Sequence, residues 1–162
     1  MAETILAVEK LKEKFGASIR EAKTFRGEVT VTVSGGDIYE ICKFLYSDPD
    51  LQFQFLTDLC GVDFFPHTPR FEIVYLLYSM KRNVRLRLKV KVAEGESISS
   101  VESIWKAANW LEREVFDLFG IPFENHPDLR RILLWDGYEG HPLRKDYPVE
   151  GPDFDKPFVP EV

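Results

Sequence analysis

Glu112 and Glu114 are the first candidates for acid–base chemistry in this chain. They lie in a segment whose apolar residues recur every three and four positions. At about 100° per residue their side chains point some 200° apart. A catalytic acid and base must face one scissile bond together, so this pair cannot play those roles. Glu112 is expected between Val115 and Phe116 on one flank of the apolar face, and Glu114 between Ala107 and Leu118 on the other. Carboxylates bordering a buried face call for partners, and guanidinium groups fit best. Arg113 is expected to point to the far side, which leaves Arg130 and Arg131 as the local candidates. Ordinary helix-surface charge is the alternative reading.

Redox and metal chemistry lack their usual parts. An iron–sulfur cluster usually takes four cysteines, and this chain has two, Cys42 and Cys60. His67, His126 and His141 stand apart from one another, without zinc-site spacing. His126 and His141 each precede a proline, which favours extended backbone and predicts exposed rings. No GxSxG, HExxH or CxxC occurs. Ser34-Gly35-Gly36 has neither the dinucleotide-binding nor the Walker spacing and reads as a turn. The expectation is therefore no cofactor and no metal in this chain.

The element that must position the two glutamates is a helix. Ser99 and Glu102 read as a capping box, and Ile104, Ala108, Leu111, Val115 and Leu118 line one face. Gly120 suits the left-handed position past the end, and Pro122 blocks continuation. Upstream, Glu3 to Phe15 is amphipathic, with Gly16 as its stop. Ala17 to Phe25 and Glu28 to Val33 read as a hairpin turning at Arg26-Gly27. Asp37 and Glu40 make a second capping box, opening a helix that ends before Asp48-Pro49. A strand lies within Gln52 to Phe65, and Phe71 to Ser79 pairs with Val84 to Val92 across Met80 to Asn83. In that last strand Val84, Leu86, Leu88, Val90 and Val92 alternate with Arg85, Arg87, Lys89 and Lys91, so one face is apolar and the other basic.

The order α-β-β-α-β-β-β-α implies an α+β domain of two layers, with a mixed sheet of about five strands, over residues 1–120. Residues 121–162 carry seven of the ten prolines and little periodicity. They read as an extended tail. The tail nevertheless holds Phe123, Leu129, Trp135, Tyr138, Tyr147, Phe154 and Phe158, which a disordered linker would lack, so it is expected to lie on its own domain or on a partner.

With 162 residues and a net charge of −6, the chain is one domain by size and no general nucleic-acid binder. A nucleic-acid module using residues 84–92 is the alternative of another class, disfavoured because aromatic rings do not alternate with the cations. No apolar run approaches the roughly 20 residues of a membrane span, and Met1-Ala2-Glu3-Thr4 does not read as a signal peptide. Two cysteines fit a reducing compartment.

Glu112, Arg113, Glu114, Asp117, Leu118, Phe119, His126, Arg130, Ile132 and Leu133, at these spacings, resemble the signature of the 30-kilodalton subunit family of proton-translocating NADH:quinone oxidoreductase, respiratory complex I. Its members are also called C subunits. Gly140-His141-Pro142-Leu143-Arg144-Lys145-Asp146-Tyr147-Pro148 is similar to the family's second block, and the resemblance spans roughly residues 56–151. It implies an α+β fold and a cofactor-free scaffold subunit of the peripheral arm. Its neighbours would be the complex's subunits D, B and I, of which B and I are iron–sulfur proteins. The iron–sulfur clusters, FMN and quinone would be held by partner subunits. The motif residues, with Arg131, His141, Pro142, Arg144, Lys145 and Asp146, would form the signature and partner interface. The implied location is peripheral, on the cytoplasmic side of the cell inner membrane. A nickel–iron hydrogenase or ferredoxin-linked complex is the nearest alternative.

Overall fold

Alternating residues build the centre of the molecule. In a computed structural model that describes residues 2–150, with side chains from Leu6 onward, the elements run α1 (Ala2–Phe15), β1 (Ile19–Phe25), β2 (Glu28–Val33), α2 (Ile38–Ser47), β3 (Phe55–Asp63), β4 (Phe71–Ser79), β5 (Val84–Val92), β6 (Ile98–Ser99), α3 (Ala108–Phe119) and β7 (Phe123–Glu124). The tail residues Phe154 and Phe158 lie outside the described residues.

Five strands form one mixed sheet in the order β1-β2-β5-β4-β3, in which β2 and β5 are parallel and the other pairs antiparallel. The α+β expectation holds. Val29, Val31 and Val33, Leu86, Leu88 and Val90, and Ile73, Tyr75 and Leu77 are buried on one face, with Leu11, Ile38, Ile41, Leu45, Val115 and Phe119 from the helices. Each fully buried Leu or Ile contributes about 1.5–3 kcal/mol. The β1–β2 hairpin turns through Arg26 and Gly27, both at positive φ, the conformation a two-residue hairpin of this twist requires.

α3 can lie close against β3 because residue 61 is glycine. A Cβ there would stand 2.8 Å from a ring carbon of Phe119 and 3.3 Å from Val115.

Three sequence expectations need correction. α3 starts at Ala108 rather than near Glu102, because Ser99 pairs in β6 with the parallel strand β7. The Ser99–Glu102 capping box is therefore absent. Residues 101–105 instead form a turn in which the Ile104 and Trp105 amides donate to the Val101 carbonyl. The Asp37–Glu40 box is absent too, since Asp37 accepts the Ser18 hydroxyl at 2.6 Å and caps no helix amide. The β6–β7 pair is two residues per strand, too short to show periodicity. It carries the core past Gly120, for Ile121 and Phe123 are both buried.

Candidate functional site

Asp117 sits in the last turn of α3 and is fully buried. Its Oδ2 accepts the amides of Ile132 (3.0 Å), Leu133 (2.8 Å) and Leu134 (2.9 Å), and its Oδ1 accepts Arg131 Nη1 at 2.7 Å. Arg131 Nη2 then donates to the carbonyls of Tyr138 and Gly140. One turn earlier on α3, Arg113 donates to the carbonyls of Arg130 (3.0 Å) and Arg131 (2.9 Å). Two buried charges thus grip the backbone of residues 130–134. Burial alone would push the Asp117 carboxyl up. The three amides and Arg131 overcome that and hold it below its ordinary value.

A second knot ties residues 141–147 to the end of the sheet. Arg70, buried just before β4, donates to Asp63 at 2.9 Å and Glu94 at 3.1 Å, and also pairs with Asp146. Asp63 also takes the Lys145 amide at 2.8 Å, and Arg144 reaches the Phe119 carbonyl at 2.7 Å and Glu94 at 3.1 Å. Burial raises the Asp63 carboxyl, but the Arg70 guanidinium with the Lys145 and Phe65 amides more than offsets this, leaving it at about 2. His141 Nδ1 donates to the Asp117 carbonyl at 2.8 Å, and burial pushes its ring below the ordinary histidine value.

Gly120 is where the two knots meet α3. Its φ is 72°, and a Cβ there would lie 2.5 Å from His141 Nε2 and 2.7 Å from Arg144 Nη2. Gly120→Ala is expected to destabilise the chain by about 2–3 kcal/mol, combining left-handed strain with overpacking. Chemical denaturation reads this directly, and a loss under about 0.5 kcal/mol would show that residues 141–144 move aside freely.

The third group lies inside the core. Glu112 is fully buried, accepting the Ser100 hydroxyl at 2.6 Å and the Val101 amide at 2.7 Å. The His126 Nε2 atom is 3.9 Å away; it donates to the Asn109 carbonyl at 3.1 Å while Nδ1 accepts the Asp128 amide. Tyr75 and Cys42 are buried in the same core, and the Tyr75 hydroxyl has no partner among the described residues. Burial pushes the Glu112 carboxyl up to about 7.

These contacts overturn the predicted pairing of Glu112 or Glu114 with Arg130 or Arg131. Asp117 is the partner of Arg131, and Arg130 pairs with Asp128 at 2.9 Å on the surface. Glu114 is exposed and makes no hydrogen bond or ion pair with a described residue. Arg113, expected to point to the far side, is instead buried against the chain returning past α3. The His126 ring is buried, and His141 is half-buried, because each fastens its segment to α3. Pro142 is half-buried; Lys145 works through its amide, its side chain remaining exposed, and Asp146 lies on Arg70. Arg70, Asp63, Glu94 and Ser100 were not predicted, since a lone arginine before a strand carries no periodic signal.

The basic strand is partly neutralised. Arg87 pairs with Glu28 at 2.7 Å and Lys89 with Glu72 at 2.6 Å. Among the described residues no group of three or more His, Cys, Asp or Glu is placed to hold a metal ion.

The family model described as the respiratory-chain NADH dehydrogenase 30 Kd subunit matches residues 31–153. The NADH-quinone oxidoreductase C subunit of Geobacter metallireducens is 58% identical over 154 residues, covering 94% of each chain. The protein of that name from Geotalea uraniireducens is 55% identical over 94% of this chain and 93% of its own. The solved trypsin-resistant fragment (1-134) of Nqo5 is 32% identical with a TM-score of 0.66, covering 76% of this chain and 99% of that one. The chain belongs to the 30-kilodalton subunit family of respiratory NADH:quinone oxidoreductase.

Proposed function

We propose that this chain is a cofactor-free structural and assembly subunit of the peripheral arm. It would hold partner subunits in place while they move electrons from NADH through iron–sulfur centres to quinone, coupled to proton translocation. The observation that carries this reading is the use made of the buried charge. Asp117, Arg113, Asp63 and Arg70 are all engaged in fastening residues 130–147 to the body. Such an arrangement suits a rigid docking surface better than a site of chemistry.

The proposed neighbours are the complex's subunits D, B and I, and clusters, FMN and quinone belong to partners. The proposed location is the cytoplasmic face of the inner membrane, with membrane attachment through the complex. No helix of the described residues is long and apolar enough to cross a membrane.

Deleting the chain from its host and purifying the membrane complex tests this. Without the chain, quinone reductase activity should be lost together with subunits of the peripheral arm, and purified chain should carry no stoichiometric iron, acid-labile sulfide or flavin. A cluster or flavin on the isolated chain would overturn the proposal. So would a fully assembled complex that lacks this chain and loses only turnover.

A further inference from the structure

Backbone groups hold the segment after α3, which leaves its side chains facing outward. Asp117 takes three consecutive amides and Arg113 two carbonyls, so residues 130–134 are fixed with no need to bury their apolar side chains. Leu133 is 62% exposed and Trp135 60%. Trp110 lies on the side of α3 along which this segment runs, beneath the Arg113 guanidinium at 5.8 Å, and is 65% exposed. These rings are braced. Trp135 packs edge-on against Tyr138 at 4.7 Å, and Tyr138 stacks on Tyr147.

Buried ions add little net stability compared with apolar packing. Here they fix the backbone that carries Leu133 and leads into Trp135 ahead of any contact, which removes much of the ordering cost of binding. Tryptophan is also the residue type most enriched where binding energy concentrates.

The charge around the ridge selects its partner. Glu114, one turn on from Trp110, and Asp136, next to Trp135, are exposed and make no ion pair with a described residue. Of the nearby cations, Arg113 is buried on the carbonyls of Arg130 and Arg131, and Arg130 is paired with Asp128. The exposed charge left unpaired around the ridge is therefore negative. A basic-rimmed partner is favoured over an anionic lipid surface, and a second copy would bring these carboxylates against each other.

We propose that Trp110, Leu133 and Trp135 form a preorganised docking ridge for another polypeptide of the same complex, one presenting an apolar pocket rimmed by lysine or arginine. This rests on the reading of the chain as a complex subunit.

The test uses the full chain expressed in its host, with a photo-crosslinking residue at position 133 and the membrane complex purified after irradiation. A cross-link to one other polypeptide, within a peptide rich in Lys or Arg, is expected. Trp110→Ala and Trp135→Ala should each lower retention of the chain in the complex by at least about tenfold. Glu114→Lys with Asp136→Lys should do the same, more strongly at low salt. The free variants should stay folded and melt within about 6 °C of the wild type, because all five side chains are exposed and the tryptophans lose only single ring contacts. Cross-links to a second copy, to lipid or to nothing overturn the ridge, as does normal retention of the variants. Should the wild-type chain be retained while the variants are equally retained, only the ridge falls. Should the wild-type chain itself be missing from the complex, the subunit reading falls with it.

Discussion

Asp117→Ala is expected to destabilise the chain by about 3–5 kcal/mol, the range for breaking a buried charged network by removing one partner. The loss has two sources. The amides of Ile132, Leu133 and Leu134 lose their acceptor, and Arg131 keeps its charge without a counter-ion. Each unsatisfied buried donor costs about 1–3 kcal/mol unless water reaches it. For a chain of this length the melting temperature should fall by roughly 6–20 °C, at about 2–4 °C per kcal/mol. Asp117→Asn keeps the shape and one acceptor but turns a donor toward Arg131, so it should recover only part of the loss. Arg130 and Arg131 lie in the released loop, and trypsin should cut there faster in the alanine variant. A melting temperature within about 2 °C of wild type, with unchanged cleavage, would mean that the loop is held by other contacts.

The same carboxylate sets an acid limit. Its folded value is depressed, so the unfolded chain binds more protons and stability rises with pH through that window. The contribution is complete above the ordinary carboxylate range and is lost as pH falls below it. Asp63, at about 2, acts in the same direction between roughly pH 4 and pH 2.

What could be read in the sequence was whatever repeats. β4 and β5 fall at their predicted ends, Phe71–Ser79 and Val84–Val92, since strict alternation leaves one register that buries Leu86, Leu88 and Val90. Gly120 falls at the left-handed cap because its position after Phe119 and before Pro122 allows little else. The start of α3 was misread for a related reason. Ile104 fits the helical period by spacing, but Trp105 donates its indole N–H to the Phe53 carbonyl and the chain turns there instead. The candidate site was legible as a set of residues and illegible as a set of partners. Helical angles place Arg113 away from the apolar face. They carry no information on the strap that returns past α3 and buries it. The choice of Asp117 over Glu114 for Arg131 depends on that same return path, which is a tertiary fact.

Glu112 should make the chain less stable as pH rises from about 4.5 toward 7. Its ordinary value is 4.5 and burial pushes the folded value to about 7. Between those limits the folded chain binds more protons than the unfolded one, so stability decreases with pH and levels off above 7. A shift of this size corresponds to roughly 3 kcal/mol. His141 contributes with the opposite sign, since burial depresses its ring below the ordinary histidine value. The measurement must therefore isolate the carboxyl. Glu112→Gln does so, because a glutamine oxygen can still accept the Val101 amide, and the Ser100 hydroxyl can turn to accept from the new amide group. The melting temperature of the glutamine variant should gain on wild type by roughly 5–10 °C between pH 5 and pH 8. The buried geometry supplies the rival outcome. Both Glu112 oxygens already accept hydrogen bonds, from Ser100 and Val101, and His126 stands 3.9 Å away. If those donors satisfy the ionised form in full, the gap between variant and wild type will stay constant. The carboxyl would then titrate near 4.5 by NMR, and burial would not be the force that governs this residue.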